Sequence, residues 1–333
     1  MYGYGFSTSF GMSSGTPPVN TVAPAITGTA EVGQTLTCSQ GTWTGTAPIT
    51  YAYQWKRDGS NIGSATNSTY TLVSADGGTT VSCTVTATNG VGSASANATG
   101  VAVPVPWSNT YSFLFDGVNE RIDIGTTSLG ITGAISVSAW VKTTASGLLK
   151  SIICEDETGG VRNWLLLMTN ANKAGFVVWH TNGTLSDVYS TASINDGNWH
   201  HVLGTYDGTS GANKLKLYVD GVLHQATANS TGVKSNTNTE PVIGALSGGA
   251  DWHWNGNIDE VAVFNTNQSS NASTIYNSGT PTDLSSLSPL AYYRMGDGDT
   301  WGGSNWTLID NGSAGRNGTS VNMEQADRVT TIP

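Results

Sequence analysis

The chain has 333 residues, and roughly 100–200 residues per domain predicts two or three domains. Charged residues are only 11%, so solubility rests on Ser, Thr, Asn and 42 Gly, while 11 Trp and 12 Tyr supply packed cores and exclude a disordered polar chain. A net charge of −10 with 13 Lys and Arg excludes a basic nucleic-acid face, and with no continuous apolar run of spanning length, membrane insertion is not expected either.

Residues 1–19 form a Gly/Ser arm carrying Tyr2, Tyr4, Phe6 and Phe10 and ending in Pro17-Pro18. The arm has no Lys or Arg and no apolar stretch, so a signal peptide is not expected; its rings suit burial on docking to another surface. A first β unit follows over 20–103, where Thr35–Cys38 and Thr80–Thr88 alternate as strands do and Asn89-Gly90 suits a tight turn. Pro104-Val105-Pro106 makes 104–106 a stiff linker. The second unit, 107–280, alternates at Ile135–Val141, Phe176–Trp179, Lys214–Val219 and Val261–Phe264, punctuated by Asp116-Gly117, Asn182-Gly183, Asp207-Gly208 and Asp220-Gly221. One short helix is predicted, over Ser269–Asn277. Residues 281–333 are a Gly/Asp/Asn-rich tail with aromatic residues, expected to add an edge strand to its own sandwich or to a neighbouring subunit. The chain is therefore all-β, built of sandwiches or jelly rolls.

In the first unit, Tyr51, Tyr53 and Trp55 share one face of an alternating segment, and Ser74–Cys83 leads into a second cysteine after Cys38. The set Cys38, Trp55 and Cys83 resembles an immunoglobulin-like sandwich, and the resemblance implies a Cys38–Cys83 bridge packed by Trp55. Val81 departs from it, standing where that family has the tyrosine of its corner. The implied role is a spacer or docking module.

In the second unit, four segments carry a resemblance in order: Phe113–Gly117 with Ile122-Asp123-Ile124; Ile135–Lys142; Asn198–Gly208 with Lys214–Gly221; and Ile243-Gly244-Ala245 with Gly256–Val261. Together they resemble laminin-G-like, concanavalin A-like jelly rolls. That resemblance implies glycan binding on a concave sheet or rim loop, and a structural Ca²⁺ shared by Asp116 and Asp259, each of which otherwise caps a turn. Asp251-Trp252-His253-Trp254-Asn255 is the candidate sugar site: rings stack on C–H faces while amide and carboxylate groups bond hydroxyls. The alternative is that Trp252 or Trp254 plugs the end of the core.

Catalysis is not expected. The E-x-D-x-x-E pattern of related glucanases does not occur, and Glu155-Asp156-Glu157, the best local carboxylate pair, is followed by Thr158-Gly159-Gly160 and reads as an acidic turn. His180, His200, His201, His224 and His253 lack metal spacing, no G-x-S-x-G elbow is present, and Cys154 reads as a buried apolar side chain.

The tail segment Leu290–Thr300 is similar to the opening strand of laminin-G-like jelly rolls, yet comes last; Asp297 and Asp299 in it form a weak D-x-D signal for Ca²⁺. With Asn322–Pro333 it also resembles C-terminal segments of marine bacteriophage structural proteins. That resemblance implies a virion surface protein, capsid decoration or tail fibre, assembled in the host cytoplasm without a leader. Its partners would be other virion proteins, glycans and further copies of itself. A purely structural decoration or cement protein is the rival reading, and a carbohydrate-active enzyme the third.

Overall fold

The computed structural model describes residues 15–105, 107–156, 162–228, 230–236, 239–247 and 252–333, with backbone only at 225 and 227. Tyr2, Tyr4, Phe6 and Phe10, together with Glu157 and Asp251, lie outside the described residues. The chain divides into two compact units, Met1–Trp107 and Ser108–Pro333.

In the first unit Ile26–Thr27, Thr35–Cys38 and Thr69–Thr71 form a three-stranded antiparallel sheet. Thr50–Arg57, Ser60–Asn61, Thr80–Thr88, Ser93–Asn97 and Val101–Ala102 form a five-stranded one. The period-2 pleat of Thr80–Thr88 turns Val81, Cys83, Val85 and Ala87 inward, and the first three of these share one core with Leu36, Cys38, Trp55 and Leu72. Trp55 lies directly opposite Cys83 in the sheet. The implied bridge is not made: Cys38 and Cys83 are free thiols, close enough for one to hydrogen-bond the other. Burial pushes both thiols up, Cys83 to about 12, and a thiol that resists ionisation reacts poorly in disulfide exchange.

The second unit is a sandwich of two large antiparallel sheets. One runs in the order Val222–Ala228, Gly211–Val219, Trp199–Tyr206, Ile135–Lys142, Asn255–Phe264, Ser112–Asp116, Arg328–Val329, with Ala291–Tyr293 also paired to Asn255–Phe264. The other runs Leu185–Ser193, Lys173–Trp179, Arg162–Met168, Lys150–Asp156, Glu240–Ile243, Arg121–Asp123, Gly318–Val321, Trp306–Leu308, Thr300–Trp301. Asp220 and Gly221 both take positive φ (51° and 78°), the backbone a two-residue hairpin turn demands.

Alternation places Ile135, Val137, Ala139 and Val141 in the core between the sheets. The other face of that strand is covered too. Trp140 stacks on Tyr276 of the Ala272–Tyr276 helix, 6.0 Å between ring centroids, and Ala272 and Ile275 pack with Leu203 and Phe264. The outer face of the first sheet is thus filled there by the chain's own helix.

Residues 281–333 are not an appendage. Gly318–Val321 pairs with Arg121–Asp123 inside the second sheet, and Ala291–Tyr293 pairs with Val261–Val263 in the first. Tyr293, Met295, Trp306 and Leu308 are buried in the inter-sheet core and Tyr292 in the cluster under the helix, so the boundary expected at 280 disappears into the second unit. Asp297 and Asp299 tie backbone together: Asp297 accepts from Thr110 N at 2.8 Å, and Asp299 from Gly296 N at 2.7 Å and Ile309 N at 2.8 Å.

Candidate functional site

The segment Trp252–Asn255 joins the second sheet to the first, and it splits the predicted site in two. Ser151 N donates to Trp252 O (2.8 Å) and Trp254 N donates to Gly244 O (2.7 Å), pinning the segment beside the Lys150–Asp156 strand. Trp254 is wholly buried in the inter-sheet core, its indole N–H donating to Asn257 O at 3.2 Å. Trp254 is therefore the core plug. Asn255 is exposed, and its amide donates to Asp116 O at 2.7 Å. Gly256 follows with φ 132°, and a Cβ there would lie 2.1 Å from Lys142 O, so only glycine lets the two strands meet.

Trp252 is placed differently. It adopts a left-handed backbone (φ 61°) and packs, half-buried, with Leu149, Trp179 and the apolar outer face of the second sheet formed by Cys154, Leu165, Leu167 and Val177. The Arg162 guanidinium lies 4.8 Å from the Trp252 ring centroid and 5.6 Å from that of Trp179, and it pairs with Asp156 at 3.4 Å. A cation held over the ring by the buried Asp156 carboxylate fixes the indole's orientation.

Trp252 and His253 form one wall of a cleft of about 690 Å³. Its other walls are the 117–119 turn, residues 147–149 with Lys150 at the start of its strand, and Asn170. Leu149 and Asn170 are shared with a second hollow of about 370 Å³ that reaches Lys173 and Tyr189. Tyr189 is 44% exposed and lies flat over Gly175: a Cβ on that glycine would come within 2.7 Å of the ring. The Tyr189 hydroxyl donates to Asp187 at 2.9 Å, and burial with this carboxylate raises it to about 12, so it stays a donor at neutral pH. Two aromatic side chains, amide groups and lysines thus border two adjoining hollows that share Leu149 and Asn170. Rings of this kind present a face for C–H groups while the polar side chains reach hydroxyls.

Asp116 and Asp259 do not converge. On paired strands Asp116 faces Asn255 while Phe113 faces Ile258, so the two carboxylates belong to opposite ends of the pairing, four positions or about 13 Å apart along the strand. Asp116 caps its turn, accepting from Val118 N at 2.7 Å. Asp259 is buried, accepting from Asn109 at 2.8 Å and Glu260 N at 2.8 Å, and burial raises it well above the carboxylate range. The shared Ca²⁺ site is therefore not formed by these residues.

Glu155 has a structural position. Its carboxylate is 1% exposed and accepts from Trp164 Nε1 at 2.8 Å, Asn163 Nδ2 at 3.1 Å, Leu129 N at 3.1 Å and Thr239 Oγ1 at 3.2 Å. Cys154 is buried on the outer face of the second sheet, and burial raises its thiol well above the usual value. His200 is held between Asp220 (2.7 Å) and Asp196 (3.0 Å), the Asp220 bond raising it; His201 is buried against Trp140, and desolvation lowers it to about 4.

Of the predicted pentad, the cleft contains Trp252 and His253; Trp254 and Asn255 face elsewhere. Leu149, Lys150, Asn170, Lys173 and Tyr189 went unforeseen, because each is an ordinary residue in its own stretch of sequence. Gly175 lies opposite Tyr189, a small residue beneath a ring, but that pairing is visible only once the register is known.

Residues 116–272, somewhat under half of the chain, match a laminin G-type family described as the concanavalin A-like lectin/glucanases superfamily. No curated protein matches the chain. Among solved structures, a candidate carbohydrate-binding protein from Bacteroides ovatus ATCC 8483 aligns over 95% of this chain and 95% of its own, with TM-score 0.52 and 15% identity. Domains LG4-5 of the mouse laminin alpha1 chain align over 77% of this chain and 83% of theirs, with TM-score 0.39 and 12% identity. A native heptameric SAP-like pentraxin from Limulus polyphemus aligns over 50% of this chain and 82% of its own, with TM-score 0.40 and 15% identity. The second unit is a laminin-G-like, concanavalin A-like jelly roll, and the likeness is one of fold.

Proposed function

We propose that this chain binds carbohydrate, without turning it over, in the cleft bordered by Trp252. The observation that carries the reading is the Trp252 ring, half-buried and held by Arg162 at the wall of a roughly 690 Å³ depression with Asn170 across it. A ring so fixed loses little freedom when a sugar stacks on it. The name of the Bacteroides ovatus protein, which shares the fold along nearly its whole length, supports the same reading. No carboxylate lines the cleft among the described residues, which favours binding over acid–base hydrolysis.

The setting we propose is a virion surface, with an immunoglobulin-like first unit as spacer and the jelly roll as head. It rests on the likeness of the C-terminal segment to bacteriophage structural proteins and of Cys38, Trp55 and Cys83 to immunoglobulin-like sandwiches. Weak single-site binding becomes firm attachment when many copies act together.

The test is a glycan array probed with the multivalent full-length chain, with and without calcium, beside Trp252→Ala. Binding that the variant loses while its melting temperature holds supports the cleft. Binding that the variant keeps moves the site elsewhere on the jelly roll. No binding by the wild-type chain overturns the reading and leaves a structural virion role.

A further inference from the structure

We propose that the saccharide taken by the Trp252 cleft carries an anionic substituent, a ring carboxylate or a sulfate ester, and that Lys150 receives it. The inference rests on the glycan-binding reading above and names the class of sugar.

Lys150 is the first residue of the Lys150–Asp156 strand and lines the cleft. It is only 8% exposed, yet its ammonium makes no hydrogen bond or ion pair with any described residue. Other cations of the unit are answered within the fold: Arg162 by Asp156 at 3.4 Å, Arg121 by Asp123 at 2.8 Å, Lys214 by Asp207 at 2.9 Å. Lys150 is the most buried lysine of the unit among the described residues, and burial pushes its ammonium down. The Lys150 stem is packed while its ammonium borders the cleft, where an anion can reach it.

The surroundings favour the same class. The chain carries 23 Asp and Glu against 13 Lys and Arg, so a polyanion is repelled over most of its surface. Among the described residues, neither the cleft nor the adjoining hollow is lined by a carboxylate, and the hollow adds Lys173. Trp252 and Lys150 line the same cleft, so a sugar seated against the exposed part of the indole brings a charge attached to it toward the ammonium. A neutral saccharide would satisfy the indole and leave the ammonium unanswered.

The experiment titrates the full-length chain with four probes in two matched pairs: galacturonate oligosaccharides against their methyl esters, and dextran sulfate against dextran. Each is repeated at low and high ionic strength and with Lys150→Gln. The expected result is at least tenfold tighter binding to one acidic probe than to its neutral counterpart, weakened by salt. Lys150→Gln should reduce the acidic probe to the neutral level with its melting temperature unchanged or raised. Which acidic probe binds separates carboxylate from sulfate. Should Lys150→Gln fail to fold, Lys150→Met keeps the stem length, and the wild-type ester comparison needs no variant. Equal binding of acidic and neutral probes overturns the charge assignment and leaves glycan binding standing. An acidic preference that Lys150→Gln retains overturns it as well. Failure of all four probes, together with an empty glycan array, removes the glycan reading and this inference with it.

Discussion

Trp252 and Trp254, one residue apart, belong to different parts of the sandwich: Trp254 is sealed between the two sheets, and Trp252 packs on the outer face of the second sheet beneath Arg162. A single intervening residue suffices because Trp252 takes a left-handed backbone that turns the chain as it crosses from sheet to sheet. The two rings should therefore answer substitution differently. Trp254→Ala removes a fully buried ring and should cost about 3–5 kcal/mol of unfolding free energy. Trp252→Ala should cost roughly 1 kcal/mol or less while abolishing binding. Urea unfolding of both variants checks the partition; equal losses would refute it.

Gly175 and Gly204 test how aromatic rings are seated. Phe176 is fully buried, and a Cβ on Gly204 would lie 2.3 Å from it; Tyr189 is 44% exposed, and a Cβ on Gly175 would lie 2.7 Å from it. Overpacking of this kind costs about 1–3 kcal/mol, and more where the displaced group has nowhere to go. Gly204→Ala should be the more destabilising in thermal melts. Gly175→Ala should lift Tyr189 off the sheet and be nearer to neutral.

Stability should fall as pH rises through the acid range because of Asp299. Burial raises this carboxyl to about 6, above its value in an unfolded chain. Between about pH 4 and 6 the unfolded chain releases the proton while the native chain keeps it, so the contribution is complete below about pH 4 and gone above pH 6. Asp259 and Glu260, also raised by burial, act with the same sign; His201, lowered to about 4, acts with the opposite one. Comparing the wild-type chain with Asp299→Asn isolates the one group. The variant should gain by about 3 kcal/mol relative to wild type between pH 4 and pH 7, read by urea unfolding at several pH values. A pH-independent difference would exclude Asp299 as the source.

Cys38, Cys83 and Cys154 are buried free thiols, and burial raises each of them. A thiol reagent at neutral pH should label none of them quickly in the native protein and all three in denaturant. One labelled thiol in denaturant would mean that Cys38 and Cys83 have joined.

Much of the fold was legible. Thr35–Cys38 and Thr80–Thr88 form as strands over those residues, and Ile135–Lys142 and Gly211–Val219 contain the predicted runs. Each pattern is local: a half-buried strand writes its burial into every second residue, and an Asp-Gly turn needs only its own two dihedrals. The tail was expected to add an edge strand, and Arg328–Val329 and Thr300–Trp301 do end the two sheets, but how deeply the rest of it enters the sandwich was not legible. Residues 281–333 contain strands only two to four residues long, too short to show alternation, and their burial comes from partners as distant as Arg121–Asp123.

The amino-acid sequence by itself determined the all-β class, the turns, the two-part organisation and the presence of aromatic residues near 252, because these depend on spacing within a few residues. The tertiary structure decided which of two neighbouring tryptophans is core and which faces the cleft. It also separated Asp116 from Asp259 and brought Lys150, Asn170 and Trp252 around one depression. Those outcomes depend on strand register and on which loops share one end of a sandwich. Such relations are fixed by the packing of segments more than a hundred residues apart, as Gly117 and Trp252 are here, and no short stretch of sequence contains them.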